Sequence, residues 1–228
     1  MDVYTTEEQQ IEAIKRWWKA NGNSVLIGIA VAIAAVLGWQ TWTQGQQTNR
    51  EQAAVLYGQL IEAAAGVKQK RLAAEDEGIA EQTATLEHIA EELKNDFPDS
   101  EYAVFAALAI AKEAVFDANY DKAVEQLSWA KDTTGNQGLK LIANLRLARV
   151  LAQTGQHQEA LAQLDSLQPG VQTASYEEVR GDIYLAMGDD EKARQAYEKA
   201  SVASATQSQG KASPLLEVKL ANLKVAES

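Results

Sequence analysis

The alternation of polar and apolar positions along this chain is interrupted once, by thirty consecutive uncharged residues from Ala20 to Asn49, of which 25–42 are almost all apolar. A hydrocarbon core about 30 Å thick requires about 20 mostly apolar helical residues. The run therefore predicts a single membrane-spanning helix over 24–43, and nothing else in the chain is long enough. Trp17 and Trp18 precede it, and Trp39 and Trp42 close it, as aromatic anchors at two interfaces would. Trp18 and Trp39 are 21 residues apart, about 31 Å of helix at 1.5 Å per residue.

The span reads as a retained anchor. A cleaved signal has a short basic leader and a small-residue cleavage site. Here 23 residues precede the apolar run, four of them acidic, and the run ends in tryptophan; Ala30-Val-Ala32 resembles a cleavage site but sits inside the apolar core. Lys15, Arg16 and Lys19 lie just before the span, whereas Arg50 and Glu51 after it cancel. The bias of basic residues sets orientation, so the expectation is a type II protein: head 1–23 in the cytoplasm, body 44–228 exported. In the span, Ala30, Ala34 and Gly38 are spaced by four, and Ser24, Gly28 and Ala32 form a second such row. Small residues at that spacing let helices approach closely in lipid.

In the head, Thr5 followed by Glu8 fits a capping box, and Ile11, Ile14 and Trp18 share one helical face. Two readings fit: a helix lying in the interface or docked on a cytosolic protein, and, more simply, a turn feeding the chain into the membrane with snorkelling Lys and Arg.

Beyond the span the apolar period is helical throughout. Residues 43–66 carry no proline and place Val55, Leu56, Leu60 and Ile61 in one stripe. Gly66–Thr83, polar and mixed in charge, predicts a loop, and Leu86, Ile89, Ala90 and Leu93 a helix ended by Asn95-Asp-Phe-Pro98. Three windows then align at a period near 34. They read Ile110-Ala111, Ala114, Ala118, Ala123, Leu127, Ala130; then Leu147-Ala148, Leu151, Gly155, Ala160, Leu164; then Gly181, Tyr184, Gly188, Ala193, Tyr197, Ala200. This is the small–large–small register of the tetratricopeptide repeat, a helix-turn-helix unit of about 34 residues. Small residues sit where paired helices cross, with Tyr184 and Tyr197 filling the space between repeats. The repeats are expected over about 104–137, 141–170 and 174–205, with a degenerate helix pair in 50–97. Ser201–Ser213 predicts a flexible connection, and 214–225 a capping helix bearing Leu216, Leu220 and Leu223. The predicted class is all-α: one N-terminal transmembrane helix followed by a tetratricopeptide-repeat-like helical solenoid.

Charge and composition narrow the function. Net charge is −11, with 18 basic against 28 acidic residues after residue 23, which disfavours nucleic acid and anionic lipid head groups as partners. The chain has no cysteine and two separated histidines, His88 and His157, the latter expected in a turn; no metal site or cofactor is predicted. The carboxylates at Glu75-Asp-Glu77, Glu91-Glu92 and Glu177-Glu178 read as solvated faces, and no catalytic constellation is expected. A binding surface remains. In the repeat register, Phe105, Leu108, Lys112, Val115 and Phe116, then Ile142, Leu145, Arg149, Ala152 and Gln153, then Ser175, Glu178, Asp182, Leu185 and Ala186, face the inside of the superhelix. With Lys112 and Arg149 among apolar side chains, the first two sets form a candidate groove for apolar or amphipathic segments. The alternative is that the N-terminal helices fill this surface as ordinary core.

The acidic head, the step Lys15-Arg-Trp-Trp18, the span ending Gly38-Trp39, and the segments Leu145-Arg-Leu-Ala-Arg-Val150, Arg180-Gly-Asp182 and Lys219-Leu-Ala-Asn-Leu223 together resemble the YfgM family over the whole chain. The resemblance implies an ancillary subunit of the SecYEG translocon in the bacterial inner membrane. Its periplasmic body would pair with a PpiD-like chaperone and pass exported client proteins to periplasmic chaperones. The resemblance also links residues 1–23 to a cytosolic response regulator. It carries over no catalytic residue. A tetratricopeptide-type assembly scaffold for another envelope complex, without client handling, stands as the alternative, since the fold serves both.

Overall fold

The computed structural model describes residues 7–73, 77–207 and 213–226, and among these all regular structure is helical. Nine α-helices follow in order: α1 (Glu7–Leu72), α2 (Ile79–Asp96), α3 (Glu101–Phe116), α4 (Tyr120–Thr133), α5 (Gln137–Gln153), α6 (His157–Asp165), α7 (Thr173–Ala186), α8 (Asp190–Gln207) and α9 (Pro214–Ala226), with one 3-10 turn at Gly170–Gln172. The Thr5–Glu8 capping pair and the Glu75-Asp76 carboxylates lie outside what is described. Two units form, Met1–Gln52 and Ala53–Ser228.

In the first unit α1 is the only described helix, and its apolar side chains are uncovered on every side: Leu26, Val31, Val36, Leu37 and Trp39 are all more than half exposed. Among the described residues α1 alone is long and apolar enough to cross a membrane, with mean hydropathy 1.9 in its most apolar 18 residues. Polar side chains near the ends of the apolar run bond back to the helix's own carbonyls. Asn21 donates to Trp17 at 3.1 Å, Thr41 to Leu37 at 2.9 Å and Thr43 to Trp39 at 3.0 Å. Such back-bonding satisfies the side-chain donor within the helix. Ala30, Ala34 and Gly38 are exposed, and a Cβ added at Gly38 would meet nothing within 4 Å. Trp39 and Trp42 touch, ring centroids 5.4 Å apart, and Trp17 and Trp18 are about half exposed.

The second unit is a stack of helix hairpins. Three of them, α3/α4, α5/α6 and α7/α8, turn through three residues whose middle member adopts left-handed backbone: Ala118 (φ 54°), Gly155 (φ 81°) and Gly188 (φ 76°). Each turn is closed by the same bond from the next residue's N–H to a carbonyl five residues back: Asn119 to Ala114 at 2.8 Å, Gln156 to Leu151 at 2.8 Å and Asp189 to Tyr184 at 2.9 Å. This is the Schellman closure of a helix C-terminus, which favours glycine because a Cβ is strained there. Side-chain caps start the helices: Ser100 accepts from the Tyr102 N–H, Asn119 from Lys122, and Asn136 from Gly138 and Leu139.

Small residues pack where the helices cross. Ala123, Ala148, Ala160 and Ala193 have no exposed surface. Gly181 is buried because the ring of Tyr197 occupies the space a Cβ would take. The core continues through three clusters. Ala53 and Leu60 of α1 join Leu86, Ala90 and Leu93 of α2 and Ala106 and Ile110 of α3. The middle cluster runs from Val104 to Ile183. At the far end Leu216 and Leu223 of α9 cover Tyr197, Ala193 and Ala200. There Lys219 bridges Glu178 at 2.8 Å and Asp182 at 2.6 Å, and Tyr197 donates to Asp182 at 2.7 Å.

Three local expectations are corrected. The loop expected from Gly66 to Thr83 is mostly helix: α1 continues to Leu72 and α2 starts at Ile79. Buried Val67 and the ion pairs of Arg71 hold that last stretch, which contains no proline. The connection expected from Ser201 is helix as far as Gln207, an alanine-containing run without Gly or Pro whose Thr206 bonds back to Val202. His157 opens α6 instead of lying in the turn before it, in register with Tyr120 and Asp190, the first residues of α4 and α8.

Candidate partner-binding groove

Three helices build the concave site, α3 and α5 at its rim and α4 through Leu127 at its floor. α3 brings Lys112, Val115 and Phe116 to its rim, α5 brings Arg146 and Arg149, and Ala111, Leu127 and Val150 form the floor of a pocket of about 340 Å3. The helical period explains the selection. Residues 112, 115 and 116 occupy one stripe of α3 over its last turn, and 146, 149 and 150 a matching stripe of α5.

The expected groove residues divide. Lys112, Val115, Phe116 and Arg149 line the pocket, and Phe116 is 60% exposed. Leu108 and Leu145 do not; they are 5% and 3% exposed and belong to the core between helices. Phe105 and Ile142 are half-buried against that core. Over Phe105 the N-terminal helix fills the surface: the Tyr57 ring of α1 lies 5.6 Å from the Phe105 ring and stacks on Tyr102 at 4.9 Å. In the third repeat, Glu178 and Asp182 are taken by Lys219 of the capping helix. The pocket therefore takes up the C-terminal turns of α3 and the facing turns of α5, and in the third repeat Leu185, 44% exposed, and Ala186 also stay open.

Electrostatics sharpen the site. Glu113 is almost fully buried and held from two sides, by Arg71 Nε at 3.2 Å and Lys112 Nζ at 2.9 Å. Arg71 also reaches Asp117 at 2.7 Å, and this hydrogen bond, with the charges of Asp117 and Glu113, raises the guanidinium's pKa against the lowering effect of burial. The Arg71 and Lys112 cations flank the Phe116 ring, 5.1 and 5.4 Å from its centroid, a favourable placement over an aromatic face. Arg146 and Arg149 have neither an ion pair nor a hydrogen bond from their side chains among the described residues. Burial, then the like charge of Arg149, pushes the Arg146 pKa down.

Arg146, Arg71 and the floor residues were not anticipated. The sequence signal for Arg146 was present: α5 carries Lys140, Arg146 and Arg149 and no acidic residue, inside a chain of net charge −11. Among the described residues no group of three or more His, Asp or Glu side chains is placed to hold a metal ion.

The chain matches the tetratricopeptide repeat-like domain family over residues 15–225. It is 30% identical over 225 residues to a protein of Escherichia coli named ancillary SecYEG translocon subunit, covering 99% of this chain and all of the relative. This chain belongs to the YfgM family of ancillary SecYEG translocon subunits. A relative of the same name from Aggregatibacter actinomycetemcomitans is 32% identical over 223 residues, 97% of this chain and all of that protein. Another, from Neisseria gonorrhoeae, is 27% identical over 98% of this chain and its own full length. No solved structure matches the chain. These family members are named as ancillary subunits of the translocon, not as enzymes.

Proposed function

We propose that this chain is a single-pass inner-membrane accessory subunit of the Sec translocon whose exported helical-repeat body receives emerging proteins and hands them to periplasmic chaperones, with a PpiD-like chaperone as its standing partner. The observation that carries this reading is the partly apolar, cation-rimmed pocket between α3 and α5, open while Tyr57 covers Phe105 and Lys219 takes Glu178 and Asp182. Full-length similarity to ancillary SecYEG translocon subunits supports the translocon as the assembly joined. The uncovered apolar run of α1 supports an anchor over 24–43. The excess of Lys15, Arg16 and Lys19 on its N-terminal side supports a cytoplasmic head and a periplasmic body over 44–228. In that orientation Ile11, Ile14 and Trp18, exposed along one face of α1, are the surface the head offers a cytosolic response regulator.

Two experiments test the proposal. Affinity capture of the tagged chain from membranes in mild detergent should recover translocon subunits together with a membrane-anchored periplasmic chaperone. Recovery only of cell-wall or division proteins would replace the reading with an envelope scaffold that handles no clients. A reporter enzyme active only in the periplasm should work when fused after Ser228 and be silent at the N-terminus; the opposite pattern would overturn the topology.

A further inference from the structure

The groove's charge is opposite to that of the molecule. In a chain of net charge −11, α5 carries no acidic residue, and two of its arginines stand at the pocket with no ion-pair or hydrogen-bond partner among the described residues. The pocket lining holds no carboxylate, and two at the same end of α3 are already engaged: Glu113 is buried between Arg71 and Lys112, and Asp117 is paired with Arg71. Cationic charge is therefore left over at this rim, and it borders an apolar floor of Ala111, Leu127 and Val150 and the exposed Phe116 ring. Unpaired arginines exposed one turn apart repel each other, a cost relieved by an anion that bridges them.

We infer that the α3/α5 groove selects protein segments in which an apolar side chain is flanked by carboxylates, the apolar group seating against Phe116 and Val115 and the carboxylates on Arg146 and Arg149. A pocket of about 340 Å3 admits one or two large side chains. Elsewhere the acidic surface repels such a segment, so the same charge pattern that attracts it here discourages binding at other sites. The specificity deepens the reading of the groove as a partner-binding surface and rests on it.

The test uses the full-length chain in neutral detergent and fluorescence anisotropy of three labelled peptides of one apolar pattern, in which leucine and phenylalanine alternate with glutamate, glutamine or lysine. The glutamate peptide should bind at least about tenfold more tightly than the lysine peptide, and its affinity should fall when salt rises from about 0.15 to about 0.5 M, where screening shortens to a few ångströms. The paired substitutions Arg146→Gln and Arg149→Gln should weaken it about 3- to 30-fold and leave the glutamine peptide nearly unchanged. Phe116→Gln should weaken glutamate and glutamine peptides alike. Arg194→Gln, on α8 and paired with Glu191 and Glu198, is the control and should change nothing. Equal binding of all three peptides would overturn the acidic preference while leaving a general apolar groove. Binding of none would overturn the groove reading itself. Preferential binding of vesicles containing phosphatidylglycerol, lost in the arginine variant, would assign the cations to lipid and also overturn the inference. The salt series on the unaltered chain decides the electrostatic part even if a variant unfolds.

Discussion

Replacing Gly181 by alanine should destabilise the helical-repeat unit, although the same change inside an ordinary helix stabilises it. Alanine gains about 1 kcal/mol over glycine in a helix interior. At Gly181, however, the new Cβ would enter the space held by the Tyr197 ring. That ring cannot easily yield. It is fully buried, its hydroxyl donates to Asp182 at 2.7 Å, and Leu216 and Leu223 of α9 rest against it. Overpacking of this kind costs roughly 1–3 kcal/mol, and a displaced ring would also lose a hydrogen bond worth about 1 kcal/mol. The balance is a loss of about 1–3 kcal/mol, or about 3–10 °C in Tm for a unit of this size. Gly58→Ala is the internal reference: Gly58 is exposed within α1 and a Cβ there meets nothing within 4 Å, so Tm should rise by about 1–3 °C. Thermal unfolding of the full-length protein in mild detergent, followed by intrinsic fluorescence and circular dichroism, measures both. If Gly181→Ala raised Tm as Gly58→Ala does, the close approach of α7 and α8 would be refuted, and with it the crossing assigned to the third repeat.

Three further outcomes are expected. Ala118→Gly should raise stability by about 0.5–1 kcal/mol in the same melts, because Ala118 alone among the three equivalent turns holds left-handed backbone with a Cβ. Arg71→Met should lower it by about 1–3 kcal/mol, read by chemical denaturation, because the buried Glu113 carboxylate keeps only Lys112. Stability should fall as pH rises beyond about 10. Burial lowers the Lys219 pKa, but its bonds to Asp182 and Glu178 outweigh that and raise it; burial and then the bond to Asp182 raise that of Tyr197. Both groups hold protons more tightly folded than unfolded, so their contribution is full below the unfolded values of about 10 and is lost above them. Lys219→Met together with Tyr197→Phe should flatten that alkaline limb in a pH series of melts.

The span, the all-helical class and the repeat register are written in local pattern. Thirty uncharged residues, and small residues recurring at Ala123, Ala160 and Ala193, depend only on transfer free energy and helix geometry, which each stretch carries by itself. Even Ala118 was legible as a departure from glycine at a turn. Helix ends were less so: Gly66–Leu72 opens on glycine and lacks an apolar stripe, Ser201–Gln207 is low in complexity, and α1 reaches Leu72 where Val67 is buried and Arg71 finds Glu113 and Asp117 across 42 and 46 residues of chain. The groove divided in the same way. Register put Leu108, Leu145, Phe105 and Phe116 on one face, but which of them stays open depends on what arrives from elsewhere. Tyr57 covers Phe105, the facing helices close over Leu108 and Leu145, and Phe116 is left exposed between two cations. The basic character of α5 is a property of the sequence; that Arg146 and Arg149 lack partners among the described residues is decided by tertiary structure, because charge pairing between distant helices is set by packing and not by spacing along the chain.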